Sequence, residues 1–261
     1  MSLEATSVEV SDVRIDLRAG GAGRTFLYLH GGLGPGGDEV FLDALSGEAR
    51  VLAPTHPGFG ASEWPREFRG VDDLAYFYLD FAEAHGLDDA VLVGACFGGW
   101  LAAEMLIRAG RHFSRAVLIG TLGAKFSDRL SRDIADIHGA EKAELDRLLF
   151  HDPAFAARDL TALDEATLTA IARDREAFAY YGWKPYMHNP GLRRWLHRID
   201  VATLLLWGES DGFVTPDYGR AWAAAIPGAR LETIAEAGHF PHLEQPEETA
   251  ARVLAFAAEG R

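Results

Sequence analysis

The chain alternates short apolar runs with longer amphipathic stretches. Val8–Leu17 alternates apolar and polar residues with the two-residue period of a half-exposed strand. Thr25–Leu29 and Arg50–Ala53 read as buried strands. The first is halted by His30-Gly-Gly-Leu-Gly-Pro-Gly-Gly37, the second by Pro54-Thr-His-Pro-Gly-Phe-Gly-Ala-Ser62. Val71–His85 carries Leu74, Phe77, Tyr78 and Phe81 at helical spacing. Ala90–Gly94 predicts a strand and Gly98–Ala109 a helix directly after it. Arg115–Gly120, Thr203–Gly208 and Ala229–Ile234 predict further strands, and Glu244–Gly260 a helix entered through Gln245-Pro246. Strands and helices in alternation imply a mostly parallel, twisted sheet flanked by helices, an α/β fold.

The rhythm breaks between Leu122 and Asp200, where no convincing strand occurs. Ser127–Ile137, Glu141–Phe150 and Leu163–Ala179 are helical patches instead. A stretch this long is not a plain loop in a compact domain. It predicts an inserted helical cap at 122–200 between two core segments, 1–121 and 201–261.

Composition narrows the function. The chain has 261 residues, 48% of them hydrophobic, enough to bury one full α/β core. Its formal net charge of -14 argues against a nucleic-acid partner, which needs a concentrated positive surface. A single cysteine excludes an internal disulfide and fits a reducing compartment. The first residues lack a basic region followed by an apolar core, and no apolar run approaches the ~20 residues that span a bilayer. The expectation is a cytoplasmic protein with no membrane partner. No zinc spacing, phosphate loop or dinucleotide fingerprint is present, so no metal and no cofactor is expected. The oligomeric state stays open, a homodimer among the options.

The chemistry concentrates in Gly94-Ala-Cys96-Phe-Gly98-Gly, set between a strand and a helix. This is the pattern of a nucleophile elbow, a sharp turn that lifts one reactive side chain above the sheet. Two further landmarks follow: Trp207-Gly-Glu-Ser-Asp211 after a buried strand, and Ala237-Gly-His239 on a loop. The order nucleophile, acid, histidine assigns the attack to Cys96, proton transfer to His239, and orientation of the imidazole to Asp211. The oxyanion donors expected are the amides of Phe97 and Gly32, with Leu33 as the second choice for the latter. His30 is expected to brace its loop, and His242 and Trp100 to pack. Asp217 is a spare carboxylate beside the acid loop. The aromatic run Phe178–His188 offers two candidates for lining a substrate, Tyr181 and Trp183, to which Leu33 and Phe240 are added.

Taken together, these motifs resemble the α/β-hydrolase superfamily over nearly the whole chain. His30-Gly-Gly-Leu-Gly-Pro-Gly with Ala53-Pro-x-x-Pro-Gly-Phe-Gly is similar to capped esterases and to the carbon–carbon bond hydrolases of aromatic ring-cleavage products. The resemblance implies a small apolar carbonyl substrate held between core and cap. Two features depart from it: Thr55-His56 stands where those relatives usually begin the pair with Asp, and Cys96 stands where Ser is usual. Three origins fit the cysteine: a natural nucleophile, as in dienelactone hydrolases and polyester synthases; a replacement of Ser that traps an acyl intermediate; or an inert buried thiol. The expected activity is cleavage of a carboxylic ester, lactone or thioester through an acyl-enzyme. The alternatives are carbon–carbon bond hydrolysis, acyl transfer, and ligand reception without turnover.

Overall fold

A computed structural model describes residues 3–128, 130–137, 139–156, 159–183 and 185–259. The chain opens with a hairpin, β1 (Glu4–Val10) and β2 (Val13–Gly20). The alternation read as one strand across Val8–Leu17 is two strands, because Ser11 and Asp12 both take positive φ (48° and 62°). Two such residues make the tight turn whose twist matches an antiparallel pair. There follow β3 (Thr25–Leu29), α1 (Glu39–Ser46), β4 (Arg50–Pro54), α2 (Val71–Ala84), β5 (Ala90–Ala95), α3 (Phe97–Ala109) and β6 (Phe113–Ile119). After a helical stretch come β7 (Ala202–Gly208), α7 (Pro216–Ala225), β8 (Arg230–Ile234), α8 (Pro241–Glu244) and α9 (Pro246–Ala258). The helix expected over Glu244–Gly260 is α9, entered at Pro246 as its sequence implied, while Glu244 ends the separate short α8 and Gly260 lies outside the described residues. Proline has no amide proton to continue the helix of the preceding turn.

The strands form one eight-stranded sheet in the order β1-β2-β4-β3-β5-β6-β7-β8. β1 and β2 are antiparallel additions, and from β4 through β8 the pairing is parallel. Both faces are covered, so the central strands are apolar on both sides. Leu205 and Trp207 of β7 enter the core shared with α2, α3 and α7, while Leu204 and Leu206 enter the core under α1 and α9. The chain therefore leaves β3 toward one face and β5 toward the other. Between those two adjacent strands the connections part at their carboxyl ends, where ligands of such sheets bind.

Between β6 and β7 lie α4 (Lys142–Leu149), α5 (Glu165–Gly182) and α6 (Leu192–Trp195). Among the described residues this stretch holds no strand, only the isolated bridge Gly123–His188. The helix expected over Ser127–Ile137 is absent among the described residues there. Asp133 accepts from the amides of Phe126 and Ser127, and Asp128 from those of Leu130 and Ser131. These side-chain acceptors compete with the helical ladder for the same amides.

Candidate active site

The parallel registers bring four loops to one edge. Leu29 of β3 pairs with Gly94 of β5, and Gly94 with Leu118 of β6, so the ends of β3 and β6 flank the turn that leaves β5 carrying Cys96. Cys96 has φ 52° and ψ -111°, a conformation no ordinary strand or helix residue adopts. The strain is held by its surroundings. Its amide donates to the Ile119 carbonyl (2.8 Å), and its own carbonyl accepts from Gly99 and Leu122 (3.1 and 3.3 Å). The flanking glycines are steric necessities. A Cβ on Gly94 would lie 2.3 Å from the Gly98 oxygen, and one on Gly98 would lie 2.0 Å from the Leu29 oxygen.

Asp211 and His239 meet beside this turn. The His239 Nδ1 donates to Asp211 Oδ2 at 2.9 Å, and Asp211 Oδ1 accepts from the amides of Phe213 and Val214, both at 2.9 Å. The carboxylate is therefore fixed in place and the imidazole takes its direction from it. Phe213 and Phe240 present their rings to His239 at centroid distances of 4.8 and 4.6 Å. The other ring nitrogen, Nε2, is buried with no nitrogen or oxygen partner among the described residues, and the Cys96 side chain acts on the ring. Burial opposes a charge on this ring. Asp211 and then Cys96, close enough to act electrostatically, outweigh it and raise the His239 pKa to about 10.

The expected oxyanion loop also lies at this edge. Gly31 is in contact with the turn: a Cβ there would sit 3.3 Å from Cys96 Cβ. Gly32 faces the helical insertion, since a Cβ on it would come within 2.7 Å of the Phe178 ring. The Phe97 amide opens α3, where first-turn N–H groups have no acceptor within the helix. His30 braces the loop as expected. Its Nδ1 donates to the Gly31 carbonyl (2.8 Å) and its Nε2 accepts from the His56 amide (3.0 Å). His56 is fully buried. Its Nε2 donates to the His30 carbonyl (3.0 Å) and its Nδ1 accepts from the Tyr78 hydroxyl (2.6 Å). Burial lowers the pKa of both, His56 to about 4, so both rings are neutral. His242 packs against Phe41 and Phe240, with Nε2 3.5 Å from Asp38, and Trp100 is buried with its indole on Glu104.

The other candidates separate. Phe240 is buried against His239, and Tyr181 is buried with its ring stacked near Phe97 (6.5 Å). Leu33 is 48% and Trp183 59% exposed. Trp183 lines a cavity of about 520 Å³ with Ala124, Lys125, Ile134, Tyr186 and His188, and none of the Cys96, Asp211 and His239 side chains contributes to that wall. Phe178 was not singled out from its aromatic run. Its ring covers Gly32 and meets Phe97 edge-on at 5.4 Å. Loop docking was equally hidden in the sequence: the carbonyls of Leu148 and Leu149, at the end of α4, accept from the amides of Gly212 and His239 (3.0 and 2.7 Å). Among the described residues no three His, Cys, Asp or Glu side chains gather as a metal site, and no helix is long and apolar enough to cross a membrane.

Comparison with known proteins agrees with this architecture. The family described as alpha/beta hydrolase fold matches residues 24–246, and the chain belongs to that family. It is 28% identical over 266 residues to a 2-hydroxymuconate semialdehyde hydrolase of Pseudomonas sp. strain CF600, covering 95% of this chain and 91% of that protein. It is 27% identical over 253 residues to the dihydrolipoyllysine-residue acetyltransferase component of the acetoin cleaving system of Cupriavidus necator, covering 91% of this chain. The match spans only 64% of the length of that protein. Among solved structures, the meta-cleavage product hydrolase from Pseudomonas fluorescens IP01 superposes with a TM-score of 0.77 over 96% of both chains at 22% identity, a likeness of fold.

Proposed function

We propose that this member of the α/β-hydrolase family cleaves the carboxylic ester, lactone or thioester of a small apolar molecule through a covalent acyl-Cys96 intermediate. The observation that carries the reading is the juxtaposition of His239, held at Nδ1 by Asp211, with the Cys96 side chain on its strained turn, the buried Nε2 having no nitrogen or oxygen partner among the described residues. Cys96, its proton held by His239, attacks the carbonyl carbon as the thiolate. The developing oxyanion is received by the Phe97 amide and the Gly32 amide. His239, charged in its pair with Asp211, gives its proton to the leaving oxygen or sulfur. As a neutral base it then takes a proton from the water that releases the acid.

The helical stretch 122–200 acts in this reading as a cap. Phe178 on α5 lies over Gly32, and Cys96 and His239 are only 4% and 0% exposed, so substrate enters when this aromatic cover shifts. Phe97, Tyr181 and Phe240 supply an apolar wall that favours an uncharged acyl group. A lone thiol nucleophile suits a reducing compartment such as the cytoplasm.

Hydrolysis of a carbon–carbon bond next to a ketone is the second reading. It is favoured by the match along most of the chain to a protein named a semialdehyde hydrolase. Rapid mixing with activated esters, acyl thioesters and a vinylogous diketone, followed by intact-protein mass spectrometry, separates the two. A transient acyl adduct in the wild type, absent from Cys96→Ala, is the expected outcome. Turnover of the diketone with no adduct from any ester replaces the first reading by the second. Accumulated adduct on Cys96 together with fast turnover by Cys96→Ser identifies a thiol that traps rather than turns over.

A further inference from the structure

One buried carboxylate is used by none of these steps. Glu244, the last residue of α8, is 7% exposed. Its Oε2 accepts from the amide of Gly238 at 2.6 Å and its Oε1 from the amide of Asp152 at 2.9 Å. Gly238 immediately precedes His239, while Asp152 follows α4 in the helical insertion. A second bond joins the same two segments, from the His239 amide to the Leu149 carbonyl at 2.7 Å. The loop is also held by the Ser210 amide on the Ala237 carbonyl (2.9 Å) and by Gln245 Nε2 on the Glu236 carbonyl (3.2 Å), but neither of these bonds reaches the insertion. Ala237-Gly238 offers no side chain beyond a methyl, and a Cβ on Gly238 would lie 2.5 Å from the Leu149 oxygen.

We propose that Glu244 is a positioning residue which ties the backbone carrying His239 to the insertion, so that the catalytic imidazole and the insertion hold or lose their places together. It touches no reacting atom in this arrangement and acts through Gly238. This inference rests on the acyl-enzyme reading for the role of His239, but the link between the two segments stands on its own hydrogen bonds. Both oxygens of the carboxylate accept. A glutamine has one carbonyl oxygen and would turn an NH2 toward a second N–H, so the isosteric change opens one bond of the bridge. A buried amide left unpaired is costly in a way that a lost surface contact is not. His239 then wanders from the position that Asp211 and Cys96 require, and a displacement of about 1 Å costs on the order of a hundredfold in rate.

The test compares wild type with Glu244→Gln by 4-nitrophenyl acetate hydrolysis and by amide hydrogen exchange. The expected result is a kcat lowered at least about tenfold with KM within about twofold, a split that marks misplaced catalytic groups rather than lost substrate contacts. Exchange is expected to accelerate in residues 150–156 and 236–240 together. Acceleration confined to 236–240, or a kcat unchanged within about twofold, overturns the proposal. Should Glu244→Gln fail to fold, Asp152→Pro removes the other end of the bridge while leaving the carboxylate intact. Faster exchange at 236–240 is expected there too, and unchanged exchange overturns the link. If the wild type does not turn over the ester, the function proposed above fails while the exchange arm still decides this one.

Discussion

Two groups of buried histidine lie on either side of Cys96, and they are tuned in opposite directions. His239 sits against a carboxylate and its pKa rises to about 10. His30 and His56, rings 3.7 Å apart, are equally buried, but their hydrogen-bond partners are carbonyls, amides and the Tyr78 hydroxyl, and burial, with His56 and Arg18 also acting on His30, makes their pKa values fall. Burial alone expels charge; one well-held carboxylate reverses the sign. The hydrogen-bond inventories differ as well. Every ring nitrogen of the His30–His56 pair is satisfied, whereas His239 keeps Nε2 open. An open nitrogen is not enough by itself, since the buried Nδ1 of His242 is open too; what sets His239 apart is a ring held by Asp211 and acted on by Cys96.

The largest break in this contrast comes from Asp211→Asn. The asparagine oxygen can still accept from Phe213 and Val214, so its amide NH2 faces His239 Nδ1 and forces the proton onto Nε2. His239 then resembles His56 in being neutral, and its Nε2, holding the only ring proton, can no longer serve as a base. The expected loss in kcat is about 10³–10⁴-fold with the fold preserved. Steady-state hydrolysis of an activated ester, with circular dichroism as the control for folding, checks it. Activity retained within about tenfold would remove Asp211 from the catalytic apparatus.

Much of this contrast was legible beforehand, and the part that was not has a physical reason. Cys96, Asp211 and His239 stand in a fixed order at the ends of apolar runs, and strand ends are what a parallel sheet brings to one edge. The strands themselves were legible because both faces are buried and the runs are short and apolar. His56 was legible only as half of the Thr55-His56 pair that departs from the family pattern; its partners, Tyr78 on α2 and the His30 carbonyl, are far along the chain and carry no local pattern. The insertion was least legible. Ser127–Ile137 has helical composition, yet Asp128 and Asp133 draw its amides into turns, and local competition of this kind leaves no hydrophobic period. Phe178 and Glu244 act through backbone contacts with Gly32 and Gly238, which sequence spacing cannot show.

A smaller effect sharpens the same contrast through pH. His239 titrates near 6.5 in the unfolded chain and near 10 in the folded one, so the folded state binds its proton more tightly. That contribution to stability is complete below about pH 6.5 and is lost progressively as the pH rises to about 10. Removing the carboxylate removes its main cause. Urea denaturation of wild type and Asp211→Asn at pH 6, 8 and 10 should therefore show a stability gap that is widest at pH 6 and narrows toward pH 10. A gap that widens with pH would mean that His239 is neutral in the folded protein.

The smallest effect is expected on the other side of Cys96. Tyr78→Phe deletes the hydroxyl that donates to His56 Nδ1 and leaves that nitrogen buried without a partner. No cavity larger than one oxygen is made, and the phenyl ring keeps its edge-on contact with the imidazole at 5.4 Å. The cost is that of one unsatisfied buried acceptor, about 1–3 kcal/mol. The His56 ring has a second anchor in the His30 carbonyl, so the loop bearing Gly31 and Gly32 keeps its place and kcat should change by less than about threefold. Thermal denaturation and ester hydrolysis on the same preparation measure both quantities. Lost stability with retained turnover is what a brace predicts. The reverse, an unchanged melting temperature with a large fall in kcat, would place His56 in the chemistry and erase the distinction between the two histidine groups.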